Sequence, residues 1–257
     1  MNRWHRYALV LVMWSLASVS ALGADVPARL HWSRESALGT TVSGTVDAVV
    51  ADVGDRVHKG QALVRLDQRP YKARLSEARA RVKELAASRK EAGRELERAK
   101  NLYDRTVLAE HELQLARIAD AKAEARLQAG RAALTQARVN LDYTVIRAPY
   151  EAWVLHRQAA VGQTLVSRLK SVPLVTVAEA GRMVARAELS LEQVSRLKPG
   201  QALTVVVDDH RYQGHVRRLG LEPSAGGGSK RYPVDVVFAL PDGQLLRAGQ
   251  AATVELP

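Results

Sequence analysis

The feature that most limits how this chain can fold is the run from Pro70 to Leu141. It is built almost wholly of Ala, Leu, Arg, Glu, Lys and Gln, with no internal proline. These are strong helix formers, yet one unbroken helix of that length would far exceed the usual globular range. The apolar spacing resolves the run into two helices. Leu75, Ala78, Val82, Leu85, Arg89, Ala92, Leu96, Ala99 and Tyr103 follow a three-four alternation with one polar member, Arg89. Leu113, Ala116, Asp120, Ala123, Leu127, Gly130, Leu134, Ala137 and Leu141 do the same with one acidic member, Asp120. Such a repeat marks a coiled-coil seam. Folding the arms antiparallel about Val107–Leu108 brings Leu75 opposite Leu141, Ala99 opposite Ala116 and Tyr103 opposite Leu113. In the middle, Leu85 then meets Gly130, Arg89 meets Leu127 and Leu96 meets Asp120. At 1.5 Å per residue the hairpin is about 50 Å long. A rod of that kind has little interior, and its outer faces are free for other chains.

The N-terminus carries a targeting signal. Arg3 and Arg6 form a short basic region, Tyr7 to Leu22 is apolar, and Ala21, Gly23 and Ala24 supply small residues for cleavage. The expected signal peptide is 1–24, followed by an N-terminal strand (Arg29–Trp32) and linker over 25–39. The apolar run is short for a membrane span, so cleavage is preferred to an uncleaved anchor. The sequence contains no Cys, which excludes disulfides, thiol catalysis and a lipid-modified N-terminal Cys. Net charge is +11, or +9 once Arg3 and Arg6 are removed. The cations are mixed with acids along the hairpin and lack interleaved aromatics, which argues against nucleic acid. They suit an anionic inner-membrane surface or acidic partner subunits.

On either side of the hairpin lie two related stretches. Before it, Thr41 to Val50 alternates as a strand. Gly54 and Asp55 then mark a turn, and Val57, Gly60, Gln61 and Leu63 lead into a second strand. Beyond it, Thr144 to Val154 is a strand broken at Pro149. Val161-Gly162-Gln163-Thr164-Leu165 repeats the Val–Gly–Gln–Leu rhythm, and Leu174 to Val177 closes the set. Residues 40–69 and 143–180 therefore read as two halves of one lipoyl-like barrel-sandwich, with the coiled coil 70–142 inserted at its middle. The last third, 181–257, reads as a β-barrel: strands at Met183–Leu189, Ala202–Val207, Gly214–Leu221, Tyr232–Ala239 and Ala251–Leu256. A short helix, Leu191–Leu197, opens on a Ser190/Gln193 capping box. The expected fold class is mainly β with an α-helical hairpin.

This arrangement, together with Asn140, Leu141, Tyr143, Thr144, Ile146, Ala148 and Pro149, resembles the periplasmic adaptor (membrane fusion) proteins of bacterial efflux systems. The resemblance covers the chain from about Thr40 to its end. It implies a non-enzymatic subunit between an inner-membrane transporter and an outer-membrane channel, six copies forming a ring, and a periplasmic location at the inner membrane. In adaptors of resistance–nodulation–division (RND) pumps, the hairpin tip often carries Arg, then Leu four residues on, then Ser eleven after the Arg. Here those positions are Arg98, Leu102 and Ala109, so the hydroxyl is lost. The family also usually has Gly where this chain has Ala152. Many members carry a further membrane-proximal domain, which is expected to be absent or rudimentary here. Two alternatives stand beside the RND adaptor: an adaptor of an ABC-type exporter, and an exported coiled-coil scaffold or carrier subunit without a pump.

No catalytic constellation stands out. His31, His58, His111, His156, His210 and His215 form no HExxH pair. His210 and His215, with Asp208 and Asp209, fit a surface turn better than a metal site. Gly226–Gly228 lacks the Lys-Ser/Thr of a phosphate loop. A lipoyl carrier would need a lysine at a tight hairpin tip, but Lys72 falls in the first turn of the helical insertion. No cofactor is expected.

Overall fold

The computed structural model describes residues 25–166, 173–224, 230–241 and 243–257. The expected signal segment 1–24 and the Gly226–Gly228 loop lie outside the described residues. Fourteen strands and three helices are assigned among the described residues: β1 (Asp25–Trp32), β2 (Glu35–Leu38), β3 (Gly44–Val49), β4 (Arg56–Val57), β5 (Ala62–Leu66), α1 (Arg69–Asp104), α2 (Glu110–Asp142), β6 (Val145–Arg147), β7 (Ala152–Arg157), β8 (Thr164–Leu165), β9 (Val175–Glu179), β10 (Arg182–Leu189), α3 (Leu191–Ser195), β11 (Ala202–Val207), β12 (His210–Leu219), β13 (Tyr232–Ala239) and β14 (Ala251–Glu255). The chain divides into two units, Trp32–Ala180 and Met1–His31 with Gly181–Pro257.

The first unit is a sandwich of two four-stranded sheets, ordered β2-β9-β7-β4 and β6-β5-β3-β8. Each sheet combines two strands from before the helices with two from after them. β5 pairs antiparallel with β6, Val64 opposite Ile146 and Arg65 opposite Val145, so the two ends of the helical insertion leave from adjacent strands. Val57, Leu63, Leu66, Val154, Leu174 and Val177 fill the core between the sheets. Each half alone exposes an apolar face, and only the pair buries both.

The expected linker is in fact structured. β2 pairs with β9, Glu35 opposite Ala178 through Leu38 opposite Val175. The strand expected at Arg29–Trp32 begins earlier, at Asp25, and belongs to the second unit. That unit is a closed barrel of order β1-β10-β13-β12-β11-β14. The alternation Val26, Ala28, Leu30 is buried, a period-two pattern that is short and interrupted by Pro27, which hides it from composition-based reading. β12 likewise starts at His210, four residues before its expected start. Asp208 and Asp209 adopt φ values of 44° and 65° and form a two-residue hairpin between β11 and β12, where Val207 pairs with His210. Asp tolerates the left-handed region better than most residues, which suits such turns. α3 opens on the expected capping box but ends at Ser195 rather than Leu197.

One turn recurs four times. In His58–Gln61, Ala160–Gln163, Lys198–Gln201 and Arg247–Gln250, a glycine with φ between 81° and 85° precedes a glutamine. Each glutamine donates its backbone N–H to the carbonyl three residues back. Its side-chain Oε1 accepts from that same residue's N–H, at 2.9, 3.1, 3.0 and 3.2 Å respectively. The positive φ requires glycine at low cost, and the glutamine closes the turn from its side chain. The Gly–Gln pair within the Val–Gly–Gln–Leu rhythm of the sequence is thus a turn device used in both units.

Candidate functional site: the helical hairpin from root to tip

The hairpin is fixed at its root by buried polar contacts. Thr144 is fully buried. Its Oγ1 donates to the Leu141 carbonyl at 2.5 Å and accepts from Gln68 Nε2 at 2.9 Å, tying the end of α2 to the start of α1. Its carbonyl accepts from the Leu66 N–H at 2.8 Å. Thr40 Oγ1 donates to the Tyr143 carbonyl at 2.8 Å, and the Tyr71 hydroxyl donates to the Ser43 carbonyl. Ile146 and Ala148 are buried in the sandwich core. Lys72 stands exposed in the first turn of α1, its N–H bonded to the Gln68 carbonyl at 2.9 Å.

Half-way along, the seam is polar, and Leu85 meets Gly130 as expected. A Cβ on Gly130 would lie 2.6 Å from Leu85 Cδ1 and 3.7 Å from Val82 Cγ2, so two α1 residues straddle it. Arg89 does not face Leu127 simply. Its Nε donates to Glu124 at 2.8 Å, while its Nη2 lies 3.9 Å from Asp120 Oδ1. Asp120 sits against Gly93, where an added Cβ would be 3.5 Å from Oδ1 and 2.9 Å from Arg89 Nη1. Gly93 thereby makes room for the guanidinium, and Asp120 lies beside this layer, lining one groove with Leu96. The hydrogen bond to Glu124 and the Asp120 charge raise the Arg89 pKa above its usual value. Asp120 Oδ1 is buried without a hydrogen-bond partner. A half-buried polar layer of this kind fixes helix register at some cost in stability.

At the tip, α1 ends in a Schellman turn. The Thr106 N–H donates to the Tyr103 carbonyl at 2.8 Å, and the Val107 N–H to the Leu102 carbonyl at 3.0 Å. The residue at the left-handed position is Thr106, φ 58°, where glycine is the usual occupant. A β-branched residue there is strained. Replacing Thr106 with glycine is expected to stabilise the hairpin by about 1 kcal/mol; an unchanged or lowered denaturation midpoint would refute this. Tyr103, expected to pack on Leu113, is 39% exposed. Leu113 itself is buried.

The three tip residues singled out in the sequence divide across this turn. Arg98 and Leu102 lie one helical turn apart on α1 and line one groove. Arg98 is exposed and pairs with Glu95 at 2.6 Å. Ala109 lies beyond the connection as the N-cap of α2, with extended backbone (φ −71°, ψ 148°) and no side-chain cap. Restoring a hydroxyl by Ala109→Ser would place Ser three residues before Glu112, the spacing of a capping box. The expected result is a gain of about 1 kcal/mol, read as a raised midpoint in thermal or urea unfolding.

Among the described residues, no group of three or more His, Cys, Asp or Glu could hold a metal ion. No described helix is long and apolar enough to cross a membrane.

A barrel-sandwich interrupted by a long antiparallel hairpin, followed by a β-barrel, is the architecture of the periplasmic adaptor or membrane fusion proteins. Residues 34–179 match the description "CzcB-like, barrel-sandwich hybrid domain", and the chain belongs to that family. It is 29% identical over 247 residues to the macrolide export protein MacA of Escherichia coli O157:H7, covering 89% of this chain and 66% of that one. It is 30% identical over 237 residues to the pyoverdine export membrane fusion protein PvdR of Pseudomonas putida, covering 83% of this chain and 59% of that one. The chain thus spans 66% or less of these relatives' length. In three dimensions it resembles a MacA–MexA chimera carrying the Pseudomonas aeruginosa MexA α-hairpin, with a TM-score of 0.68, 22% identity, and 91% and 81% of the two chains covered. It also resembles the membrane fusion protein Spr0693 of Streptococcus pneumoniae R6, with a TM-score of 0.64, 18% identity, and 91% and 98% covered.

Proposed function

We propose that the chain is the periplasmic adaptor subunit of a tripartite efflux system. In this reading it is a non-enzymatic part that links an inner-membrane RND-type transporter to an outer-membrane channel. Its β-domains dock on the transporter, and its hairpin tip, through Arg98, Leu102 and the Ala109 position, meets the channel. Six copies form a sealed ring through which substrate passes. The observation that carries the reading is the rooted hairpin. Both its ends are clamped in one small sandwich, so about 50 Å of helix projects from a fixed base. The export roles in the names of the macrolide export protein MacA and the pyoverdine export protein PvdR support the same direction. A second reading, an adaptor of an ABC-type exporter, keeps the same geometry with a different pump, and the similarity to MacA is what favours it.

The absence of cysteine makes the test direct. An Ala109→Cys chain carrying a bifunctional crosslinker is expected to capture an outer-membrane channel in cells, and the chain is expected to co-purify with an inner-membrane transporter from detergent. Capture of neither overturns the adaptor reading in favour of a free-standing exported scaffold. The class of the co-purified transporter decides between RND and ABC.

A further inference from the structure

The barrel lacks a rung on one side of β1. Leu30 donates its N–H to the Gln250 carbonyl at 3.0 Å and accepts from the Gly249 N–H at 2.8 Å, and Ala28 stands opposite Ala252. The even-numbered residues of β1 therefore turn their backbone groups towards β14. The odd-numbered ones turn theirs towards β10, the other neighbour. Pro27 is odd-numbered and has no N–H to give. The position opposite Arg29 is small, Ala251. A groove of about 550 Å³ lies beside β1, a volume within the range of small-molecule sites. Pro27, Ala28, Ala251 and Ala252 give it apolar walls, and Arg29, Arg186, Glu188 and Arg231 also line it.

The charges along this groove are not all satisfied within it. Arg186 makes two hydrogen bonds to Asp235, and Glu188 accepts the Ser224 hydroxyl on both oxygens, at 2.9 and 2.8 Å. Arg29 and Arg231 reach only backbone carbonyls, those of Gly249 and Glu188, each at 3.5 Å, which is longer than a good hydrogen bond. Neither meets a carboxylate among the described residues. We propose that the groove is a binding site for a small anionic amphiphile, its charged head on Arg29 and Arg231 and its apolar body along Pro27 and Ala251. The guanidinium forks match a carboxylate, sulfonate or phosphate, and the small side chains leave room for the rest. A bare anion would leave the apolar walls uncovered, and an uncharged apolar compound would leave both cations unanswered. The site lies wholly within the barrel unit, so it stands whether or not the chain docks on a pump.

The test uses the full chain and anilinonaphthalenesulfonate, an anion with an apolar body whose fluorescence rises when it leaves water. Saturable binding is expected. Arg29→Gln together with Arg231→Gln is expected to weaken it by about tenfold, since the charge-assisted hydrogen bonds to both guanidiniums are lost. Ala251→Trp fills the groove while leaving every charge in place, and a similar loss is expected. Lys198→Gln, an exposed cation outside the groove, is expected to change nothing. Arg29, Arg231 and Ala251 are exposed, so thermal midpoints should match the parent; where Ala251→Trp lowers the midpoint, Ala251→Leu takes its place. Dodecanoate is expected to displace the dye, whereas inorganic phosphate at equal concentration is not. Dye binding unmoved by the changes in the groove overturns the site. Displacement by phosphate as well reduces it to a plain anion contact and overturns the amphiphile. Failure of dodecanoate to compete also overturns the proposal. If the parent then sediments with phosphatidylglycerol vesicles and the Arg29/Arg231 double variant does not, the surface belongs to a bilayer instead.

Discussion

Leu66→Ala is expected to cost about 2–5 kcal/mol of stability, a large share of what a small domain possesses. Leu66 is fully buried at the end of β5. Its Cδ1 lies 3.5 Å from where a Cβ on Gly44 would sit, so its space is closed on that side by backbone. Its N–H is bound to the Thr144 carbonyl at 2.8 Å, which couples it to the far end of the insertion. Truncation leaves a cavity beneath the point where α1 begins. The loss should appear as a lowered urea midpoint with unchanged slope, together with faster amide exchange at Asp67–Tyr71 and Thr144–Ile146. A loss below about 1 kcal/mol would show that the site collapses around the missing atoms.

Asp235→Asn should produce the second largest loss, and one that depends on pH. Asp235 is 6% exposed on β13, between β10 and β12, and its side chain meets two arginines. Arg186, opposite it on β10, makes two hydrogen bonds at 2.7 and 3.1 Å. Arg218, opposite it on β12, lies at 2.6 Å. Burial alone would raise the carboxyl pKa, but the Arg186 hydrogen bonds and the two positive charges more than offset it, and the pKa falls below 3.8. A carboxyl depressed in the folded state adds stability that is present above its unfolded pKa and lost as pH falls through the folded value. Both arginines keep access to water, at 34% and 60% exposure. The expected cost of the substitution at neutral pH is therefore about 2 kcal/mol rather than the full penalty of a buried orphan charge. Parent and variant should converge as pH is lowered from about 4 through the depressed folded pKa. A difference that persists undiminished at low pH would mean that packing, not charge, is what the carboxylate supplies.

The long-period features were legible from the residues. Nine seam positions in each arm repeat often enough to survive the polar exceptions at Arg89 and Asp120, and the glycine turns stand out because positive φ leaves few substitutes. What stayed hidden was pairing. Arg89 reaches past its facing residue to Glu124 because a guanidinium spans more than one layer. Gly93, outside the seam, is what lets it do so. β1 and β2 were obscured because each takes its partners from distant chain, so their short alternations carry no local signature. The glutamine of the four turns was visible twice through its flanking Val and Leu. It was missed at Gln201 and Gln250, where no Val stands within three residues before the glycine. At the tip, the sequence identifies Arg98, Leu102 and Ala109 by resemblance alone. That Ala109 is an uncapped N-cap, and that Thr106 occupies a glycine position, required the backbone.

The insertion of the hairpin between β5 and β6 has a consequence for how such chains can vary. Those strands are hydrogen-bonded neighbours, and they remain so whatever length of antiparallel helix is placed between them. Seven residues added to each arm would extend the rod by about 10 Å while every contact of the sandwich stayed as it is. Reach is therefore a quantity that can be edited in whole heptad pairs, independently of the domain that holds it, and lineages spanning gaps of different width need alter only this one cassette.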